Sequence, residues 1–324
     1  MTLLSTSDLI KKYGLDAKKS LGQNFILDKN FTDKIARTAG DLSDFVVLEI
    51  GAGPGSLSRS ILDAGAKKLI AIEKDRRCLE ALNELKNFYG ERFEIIEGDA
   101  LEIDESQILN QDFLDKNSGK NISKPIEETD FNKNQKSIAD APIYSASSNS
   151  KFTKFDDESN LIKTKFKIIA NLPYNIGTAL VFKWLKIAPQ IASMHLMLQK
   201  EVVQRIVAKS GEKHYGRLAV MINFLCHTKM VFLVNNSVFT PPPKVTSAIV
   251  EIIPRVKPLA DVEFEKLEKV VAAAFNQRRK MLRSSLKSVF GDKAENVLQN
   301  AGIKPDLRAE NLTIEEFCQL ARQF

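Results

Sequence analysis

A glycine-rich turn between two apolar runs constrains the fold of this chain more than any other feature. The run VVLEI (46–50) is followed by GAGPG (51–55), then by SLSRSILDAG and by KLIAIE (68–73). This order of strand, turn, helix and strand predicts a β-α-β unit, in which a crossover helix joins two parallel strands. Parallel sheets need helices on their faces, so the chain is predicted to be an α/β protein with a Rossmann-like sheet.

Five further apolar runs extend the predicted sheet. They are FEIIEGDA (93–100), FKIIAN (166–171), ASMHLMLQ (192–199), a run around MVFLV (230–234) and SAIVEII (247–253). Helical spacing occurs in EVVQRIVAK and RLAVMINFL, and Asp28 suits the N-cap of an earlier helix that ends near Gly40. Residues 16–254 are therefore predicted to form the sheet domain, preceded by a loose arm over residues 1–15.

The chain becomes entirely helical in pattern after Pro254 and Pro258. The runs EFEKLEKVVAAAF, RKMLRSSLKSVF and AENVLQNAG carry helical spacing. A last helix is predicted from Ile314, because Thr313 and Glu316 can form a capping box at its start. Residues 257–324 are therefore predicted to form a small all-helical C-terminal domain.

A polar segment interrupts the sheet domain at about residues 104–165. Between residues 111 and 160 the composition is dominated by Ser, Asn, Lys and Asp, with one Leu and no Val or Met. So few branched aliphatic residues cannot bury enough surface to offset the entropy of ordering the segment. It is interpreted as a mostly disordered surface insertion, and its lysines leave an RNA-contacting arm open as the alternative.

The glycine turn and the acids after it indicate a nucleoside ligand. Glu73 ends the second strand, 22 positions after Gly51, where a carboxylate can accept hydrogen bonds from a ribose diol. A dinucleotide site needs GxGxxG, whereas this turn reads GxGxG with Ser56 next and Glu49 before it. These carboxylates suit the cationic sulfonium and amine of S-adenosylmethionine, and Asp99 is placed to accept from an adenine amine. The alternative is a turn whose glycines serve packing alone.

The strand FKIIAN ends in Asn171-Leu172-Pro173-Tyr174, at the edge where open α/β sheets bind ligands. The exocyclic amine of adenine is a weak nucleophile, because its lone pair is delocalised into the ring. Two acceptors, the Asn171 side-chain carbonyl and the backbone carbonyl of Leu172 or Pro173, would localise that lone pair and stabilise the positive transition state. Tyr174 would stack on the base. The motif therefore predicts methyl transfer to an aromatic amine, and a plain turn after a strand is the alternative.

Composition argues against several other kinds of site. Cys78, Cys226 and Cys318 form no CxxC pair and the three histidines show no metal-ligand spacing, so neither a disulfide framework nor a metal site is expected. No apolar run is long enough to span a membrane, and the N-terminus lacks a secretory signal. We therefore expect a cytoplasmic protein, and its net charge of +6 is a mild indication of a polyanionic partner.

A basic segment without acids lies between residues 269 and 291. The apolar stripe of its first helix would carry Arg278 toward the buried face, so a break near Asn276 and Gln277 is predicted, with a second helix burying Leu282 and Leu286. The basic side chains would then reach phosphates. Those predicted to bind RNA are Arg278, Arg279, Lys280, Arg283 and Lys287. For any one of them, a solvated basic face is the alternative.

Ten motifs together resemble one enzyme family. They are KKSLGQNFILD, VLEIGAGPGSL, IEKD, EGDAL, NLPYNI, MLQKEVVQRI, YGRLAV, FTPPPKV, AFNQRRKMLRSSL and RAEN. The chain is similar to the KsgA family of small-subunit (16S) ribosomal RNA adenine dimethyltransferases over nearly all of its length outside the arm and the insertion. NLPY alone would also fit the related large-subunit methyltransferases of erythromycin resistance, whereas FTPPPKV with AFNQRRK and RAEN is more specific to the small-subunit enzymes.

The resemblance implies an S-adenosyl-L-methionine-dependent enzyme whose substrate is the immature small ribosomal subunit. Its implied products are two adjacent N6,N6-dimethyladenosines in the 3′-terminal hairpin loop of 16S rRNA. The implied cofactor contacts are Asn24, Ile26, Gly51, Glu73, Asp99 and Asn171, although the family usually has Leu at position 26. The implied catalytic residues are Asn171, Leu172, Pro173, Tyr174 and Phe239, the two aromatic rings enclosing the target adenine.

Several alternatives stay open at this point. The alternative interpretation of Phe239 is that it is a core residue before a proline-rich turn. A large-subunit rRNA or DNA adenine methyltransferase is the alternative enzyme, and no separate target-recognition domain for DNA is seen. The alternative from another class is a ribosome-assembly or nucleic-acid-binding factor whose methylation is incidental. A monomer is expected in each case.

Overall fold

The computed structural model describes residues 3–17, 23–108, 165–277 and 279–324. The strands in these ranges are β1 (Phe25–Ile26), β2 (Val46–Ile50), β3 (Lys68–Glu73), β4 (Phe93–Glu97), β5 (Phe166–Asn171), β6 (Ile191–Gln199), β7 (Cys226–Val234), β8 (Phe239–Thr240) and β9 (Ser247–Pro254). Most of the predicted insertion, residues 109–164, lies outside the described residues, and so does Arg278.

The helices surround these strands in chain order. They are α1 (Thr6–Tyr13), α2 (Lys29–Thr38), α3 (Ser56–Asp63), α4 (Arg76–Tyr89), α5 (Glu105–Ile108), α6 (Gly177–Leu185), α7 (Lys200–Val207), α8 (Arg217–Leu225), α9 (Phe264–Asn276), α10 (Leu282–Ser285), α11 (Lys287–Phe290), α12 (Ala294–Asn300) and α13 (Ile314–Arg322).

Seven strands form one sheet in the order β4-β3-β2-β5-β6-β9-β7. The first five are parallel, and β9 runs antiparallel to both of its neighbours, β6 and β7. From β2 the chain continues to one side through β3 and β4, then returns to the other side at β5. The crevice at such a reversal, beyond the carboxyl ends of the strands, is where open α/β sheets bind ligands. The predicted Rossmann-like sheet is confirmed.

The central strands are buried on both faces, which explains their nearly continuous apolar sequences. Alternate residues point to opposite sides, so Leu48 and Ile168 belong to one hydrophobic cluster, whereas Val47 and Ile169 belong to the other. The second cluster is completed by α1–α4, and the first by α6–α13. The C-terminal helices therefore share a core with the sheet through α6 and α8, and a domain boundary near residue 254 stays a prediction.

Two helix starts follow the predicted capping chemistry. The Asp28 carboxylate accepts a hydrogen bond from the backbone N–H of Asn30 at 2.9 Å, at the start of α2. At α13, the Thr313 hydroxyl accepts from Glu316 N at 3.2 Å, and the Glu316 carboxylate accepts from Thr313 N at 2.7 Å. This reciprocal pair is a capping box, and both predicted starts are confirmed.

The expectation of a loose arm over residues 1–15 is wrong for residues 6–13. These residues form α1, which buries Leu9 and packs against α4. Lys12 and Tyr13 both donate hydrogen bonds to the Glu84 carboxylate of α4. The sequence suggested an arm because only one side of this short helix is apolar, and its polar side carries contacts that hydropathy does not reveal.

Three predicted boundaries also need correction. β4 ends at Glu97, so Asp99 lies in the turn after the strand rather than at its end. β7 begins at Cys226 instead of near residue 230. The run predicted as one helix over residues 279–290 forms two short helices, α10 and α11. The first of them begins only at Leu282, because the backbone N–H groups of Leu282 and Arg283 bond to the segment near residue 305. The predicted break at Asn276–Gln277 is confirmed by the end of α9.

Candidate active site

A cavity of about 270 Å³ opens at the carboxyl ends of β2, β3 and β5. It brings together the residues that the sequence predicts for cofactor and target base, namely Asn24, Ile26, Gly51, Glu73, Asp99, Asn171, Leu172, Pro173, Tyr174 and Phe239. Four carboxyl groups and one ammonium group line the same space: Glu49, Glu73, Asp75, Asp99 and Lys74. Four acids against one ammonium group favour a ligand that carries positive charge.

The glycine turn after β2 serves both ligand approach and packing. Gly51, Gly53 and Gly55 all have positive φ, of 71°, 55° and 85°. A Cβ on Gly55 would lie 2.6 Å from the Leu85 side chain of α4, so this glycine is required for packing. Gly51 instead borders the cavity, where its nearest neighbour is the Pro173 ring. The packing alternative therefore holds for Gly55 but not for the whole turn.

Glu73 is fixed by two backbone hydrogen bonds. One carboxylate oxygen accepts from Gly53 N at 2.7 Å and the other from Asp75 N at 2.7 Å. Burial raises the pKa of Glu73 above its ordinary value, and these two bonds oppose the rise. Each oxygen keeps a second lone pair, so the side chain can still accept from a diol placed in the cavity.

Glu49 is the most deeply buried acid of the cavity. It is 2 % exposed, and its carboxylate accepts a hydrogen bond of 2.5 Å from the Ser58 hydroxyl of α3. Burial raises the pKa of Glu49 to about 8, although the bond from Ser58 lowers it, and the neighbouring charge of Glu73 adds to the rise. Within the described residues no cation pairs with Glu49. The site therefore holds an uncompensated acid directly beside its cavity.

Asp99 is held in the turn that follows β4. Its carboxylate accepts from Lys74 Nζ and from Leu101 N, at 2.8 and 2.9 Å. Burial alone would raise the pKa of Asp99, but these two bonds hold it below its ordinary value. The group is therefore a charged acceptor at neutral pH, although it lies two residues beyond the strand end.

A buried ion pair that the sequence did not predict joins α6 to the turn that carries Asp99. Lys183 of α6 donates to the backbone oxygens of Ala100, at 2.6 Å, and Ile103. Its ammonium also pairs with Glu105 at 2.8 Å, and Glu105, 2 % exposed, accepts a bond of 2.9 Å from the Trp184 indole. Thus the first turn of the predicted insertion is packed against the helix that follows NLPY.

The NLPY motif presents two unequal backbone carbonyls. The Pro173 oxygen already accepts from the backbone N–H groups of Ile176 and Gly177, at 3.2 and 3.1 Å, where α6 begins. No donor among the described residues reaches the Leu172 oxygen. Of the two carbonyls that the sequence left open, Leu172 is therefore the one with free acceptor capacity. Pro173 instead packs its ring against Gly51.

Asn171 ends β5, and its side-chain nitrogen donates to the backbone oxygen of Asn24 at 3.4 Å. Asn24 precedes β1, which pairs with β8 so that Ile26 lies opposite Phe239. Phe239 is 2 % exposed and borders the cavity, so it is at once a core residue and a wall of the site. The small β1–β8 sheet thereby forms one wall of the cavity beside the NLPY motif.

The segment before Asn24 is attached to the turn after β3 by a further polar network. Arg77 donates to both carboxylate oxygens of Asp75, at 3.0 and 2.6 Å, and Gln23 Nε2 donates to Asp75 at 2.8 Å. The sequence did not predict these residues, because nothing in the local pattern links Gln23 to a turn fifty residues later. The only signals were two of the family motifs, IEKD, which contains Asp75, and KKSLGQNFILD, which contains Gln23.

The basic segment predicted to bind RNA lies outside the cavity. Arg279, Lys280, Arg283 and Lys287 are exposed. None of these four forms an ion pair with a carboxylate of the described residues. Nothing in the structure tests their contact with RNA, which stays a prediction.

The Cys78, Cys226 and Cys318 thiols are free and buried.

Two other kinds of site are absent from the described ranges. No helix there has the length and apolarity of a membrane span. No group of three or more His, Cys, Asp or Glu side chains in those residues is arranged to hold a metal ion.

Known proteins resemble this chain over nearly its whole length. The family model described as ribosomal RNA adenine dimethylase matches residues 14–324. The ribosomal RNA small subunit methyltransferase A of Allorhizobium ampelinum is 45% identical over 317 residues, which cover 97% of this chain and 95% of the relative. The protein of the same name from Paramagnetospirillum magneticum is 43% identical over 315 residues, covering 97% and 92% of the two chains.

Solved structures show the same fold. A dimethyladenosine transferase from Plasmodium falciparum superposes with a TM-score of 0.67 and 25% identity, covering 93% of this chain and 97% of its own. The 23S rRNA methyltransferase ErmE superposes with a TM-score of 0.60 and 24% identity, covering 93% and 99%. The second likeness establishes the architecture only.

Proposed function

This chain belongs to the ribosomal RNA adenine dimethylase family, and we propose that it methylates N6 of two adjacent adenosines in the 3′-terminal hairpin loop of 16S rRNA. The methyl donor is S-adenosyl-L-methionine, and each adenosine receives two methyl groups. The substrate is the immature small ribosomal subunit, so the enzyme acts in the cytoplasm during subunit biogenesis, as a monomer. Methyltransferase activity on ribosomal RNA adenine follows from membership of the family. The identity of the methylated nucleotides, the methyl donor and the cellular location of the enzyme are proposed here.

The observation that carries this proposal is the position of NLPY at the edge of an acid-lined nucleoside cavity. Asn171 and Leu172 border the same cavity as Glu73 and Asp99, although about seventy residues separate the two pairs. One part of this space suits a nucleoside with a cationic group, and the other suits a flat amine. A methyl donor and a methyl acceptor would therefore meet within it.

The residues present fit S-adenosyl-L-methionine. Glu73 has lone pairs left for the ribose diol, and Asp99 is ionised and can accept from the adenine amine. Asn24, Ile26, Gly51 and Asn171 border the same space and complete the proposed cofactor contacts. With a pKa of about 8, Glu49 is mostly protonated at neutral pH, and a cationic ligand beside it would favour its charged form. When bound, the cofactor supplies a methyl group already activated by its positive sulfur.

The catalytic residues act on the acceptor amine. In the first transfer the Asn171 side-chain oxygen and the Leu172 carbonyl accept hydrogen bonds from the two N–H groups of the amine, and in the second transfer one of them accepts from the N–H that is left. These bonds draw the nitrogen toward tetrahedral geometry and stabilise its developing positive charge. Pro173 keeps the Leu172 carbonyl in place, because its own carbonyl is tied to the start of α6. The proton lost after each transfer passes to solvent, so no strong general base is required at this position.

Tyr174 and Phe239 hold the target base. Base–aromatic stacking is worth about 1–3 kcal/mol for each base, and two rings exclude water from the reacting amine. Adenosines in a hairpin loop are already partly unstacked, which removes most of the cost of extracting a base from a duplex. Arg279, Lys280, Arg283 and Lys287 bind the surrounding phosphates, and Arg278 belongs to the same predicted set.

A comparison of three substrates tests the proposal. Labelled S-adenosyl-L-methionine is supplied with unmethylated small-subunit particles, large-subunit RNA or duplex DNA in parallel reactions. Incorporation should occur with the small-subunit particles alone. Preference for large-subunit RNA or for DNA would favour one of the alternative enzymes, and binding of the particles without incorporation would favour an assembly factor.

A further inference from the structure

The phenol of Tyr174 is joined to a buried serine of another strand. Tyr174 Oη and Ser247 Oγ lie 2.6 Å apart, which is a short hydrogen bond between two hydroxyl groups. The two residues are 73 positions apart in the chain. Tyr174 is partly exposed and borders the cavity, whereas Ser247 is 0 % exposed. The far end of the aromatic ring is therefore attached to the protein interior.

Ser247 is a rigid point of attachment. It is the first residue of β9, and it lies opposite Gln199 of β6 on one side and Val234 of β7 on the other. The preceding residue, Thr246, accepts a backbone hydrogen bond of 2.8 Å from Lys200 at the start of α7. Neighbouring strands and a helix thus hold the serine from three directions, and its hydroxyl has little freedom to follow a moving ring.

Attachment at both ends fixes the plane of the Tyr174 ring. The backbone end follows Pro173, whose ring fixes its own φ and whose carbonyl is bonded into the start of α6. The phenol end is bonded to Ser247. A tyrosine side chain has two rotatable bonds, and both are restricted when the two ends are held. A stacking partner that is already oriented loses less rotational freedom when the base arrives.

The phenol does not serve as a proton acceptor or donor in the reaction. Burial raises the pKa of Tyr174 above its ordinary value, although the bond with Ser247 lowers it. The side chain is therefore neutral at physiological pH, and its hydroxyl is directed at Ser247. A geometric role remains for a hydroxyl placed in this way.

We propose that Ser247 is a positioning residue, which holds the Tyr174 ring in the orientation needed to stack on the target adenine. The proposal rests on the function proposed above, since it assumes that Tyr174 stacks on the base. It adds a residue that neither the glycine turn nor NLPY contains. The FTPPPKV loop then has two roles, because it supplies Phe239 as one wall and leads into the serine that orients the other.

A double-mutant cycle tests the coupling of the two hydroxyls. Tyr174→Phe, Ser247→Ala and the double variant are compared with the wild-type chain in methylation of unmethylated small-subunit particles at saturating cofactor. Each single variant should lower kcat/KM about 3- to 10-fold, the range expected for freeing one side chain. The double variant should be no slower than the slower single variant, because both substitutions remove the same bond. Cofactor affinity should not change.

A matched serine controls for loss of stability. Ser60, 1 % exposed, forms a hydroxyl pair of 2.7 Å with Thr32 between α3 and α2, away from the cavity. Ser60→Ala removes a buried bond of the same kind and should leave kcat/KM unchanged, with a loss of thermal stability similar to that of Ser247→Ala. Equal losses of kcat/KM in both serine variants would show that the effect is one of stability, and would overturn the proposal.

Two further outcomes separate this inference from the proposed function. If the effects of Tyr174→Phe and Ser247→Ala multiply in the double variant, or if each single variant stays within twofold of wild type, Ser247 does not position the ring. Tyr174→Ala is the variant that tests stacking itself. A wild-type rate in Tyr174→Ala would contradict the stacking role, whereas a slow Tyr174→Ala beside fast Tyr174→Phe and Ser247→Ala would contradict only the inference.

Discussion

The side-chain nitrogen of Asn171 donates a hydrogen bond to the backbone oxygen of Asn24, 3.4 Å away. An amide whose nitrogen is engaged in this way has its oxygen on the other side, free to accept from a ligand. Asn24 is itself held next to β1, which pairs with β8 and so with Phe239. The N-terminal strand therefore orients the side-chain amide that is proposed to accept a hydrogen bond from the acceptor amine.

Replacing Asn171 by Ala should slow methyl transfer without unfolding the protein. One of the two acceptors for the amine is lost, and removal of a single preorganised hydrogen bond of this kind costs about 10²–10³ in kcat. Single-turnover methylation at saturating cofactor measures the effect, with thermal unfolding as the control for folding. A rate within tenfold of wild type would rule out the assigned role.

Glu49 should make the protein less stable as pH rises. Its pKa is about 8 in the folded chain but ordinary in the unfolded chain, so the folded state retains a proton that the unfolded state releases. Stability from this group is therefore full below about pH 4.5 and is lost progressively as pH rises toward 8. Glu49→Gln removes this penalty. Without cofactor, its Tm should match wild type at pH 5 and exceed it by at least about 2 °C at pH 8.

The neighbouring acid provides the control for this titration. Burial also raises the pKa of Glu73, so some pH dependence of stability should persist in Glu49→Gln. Ser58→Ala should instead increase the pH dependence seen in the wild-type chain, because it removes the hydrogen bond that lowers the pKa of Glu49. Thermal unfolding across pH 5–9 measures all three proteins. Parallel curves for wild type and Glu49→Gln would show that Glu49 does not titrate in this range.

Lys183→Met should weaken cofactor binding by releasing the turn that carries Asp99. The substitution removes the donor to Ala100 and Ile103 and leaves Glu105 buried without its cation, which costs about 3 kcal/mol in unfolding free energy. Adding Glu105→Gln should restore part of that stability, because the unpaired charge is gone, but cofactor affinity should stay low. Chemical unfolding and calorimetric titration measure the two quantities.

Lys186→Met serves as the comparison, since Lys186 is the C-cap residue of the same helix and has no ion pair with the described residues. It should change neither quantity appreciably. If Lys183→Met binds cofactor as well as Lys186→Met does, the ion pair supports the fold alone and does not position Asp99.

Charge reversal in the basic segment should weaken RNA binding and reduce its salt dependence. Arg279→Glu with Lys280→Glu removes two exposed phosphate contacts, so fewer counterions are released and the slope of log K against log salt should fall by about 1 to 2. Lys67→Glu with Lys86→Glu makes the same net-charge change on exposed residues just before β3 and in α4. Equal slopes for the two double variants would place the RNA elsewhere on the protein.

The parts of the site that follow from sequence are those encoded locally. The glycine turn, Glu73 and NLPY each lie at the end of an apolar run, and parallel strands bring their carboxyl ends to one edge of a sheet. Their meeting in one cavity could therefore be predicted before the structure. The choice between the Leu172 and Pro173 carbonyls could not, because it depends on which backbone N–H groups begin α6.

Contacts between distant side chains could not be predicted. Lys183 with Glu105, and Tyr174 with Ser247, join residues more than seventy positions apart, and these residue types have no distinctive local pattern. The expected loose arm failed for a related reason, since the bonds of Tyr13 to Glu84 become visible only when α1 and α4 pack together. Sequence periodicity identifies which face is buried, but not which polar groups meet there.

The account is tested most directly by mapping the methylated nucleotides. Unmethylated small-subunit particles are incubated with the protein and isotopically labelled S-adenosyl-L-methionine, and the RNA is digested and sequenced by mass spectrometry. We predict four labelled methyl groups per particle, two on N6 of each of two adjacent adenosines in the 3′-terminal hairpin loop of 16S rRNA, and far less label with Asn171→Ala over the same time. Label at any other nucleotide, or at a position other than N6, would contradict the proposed function.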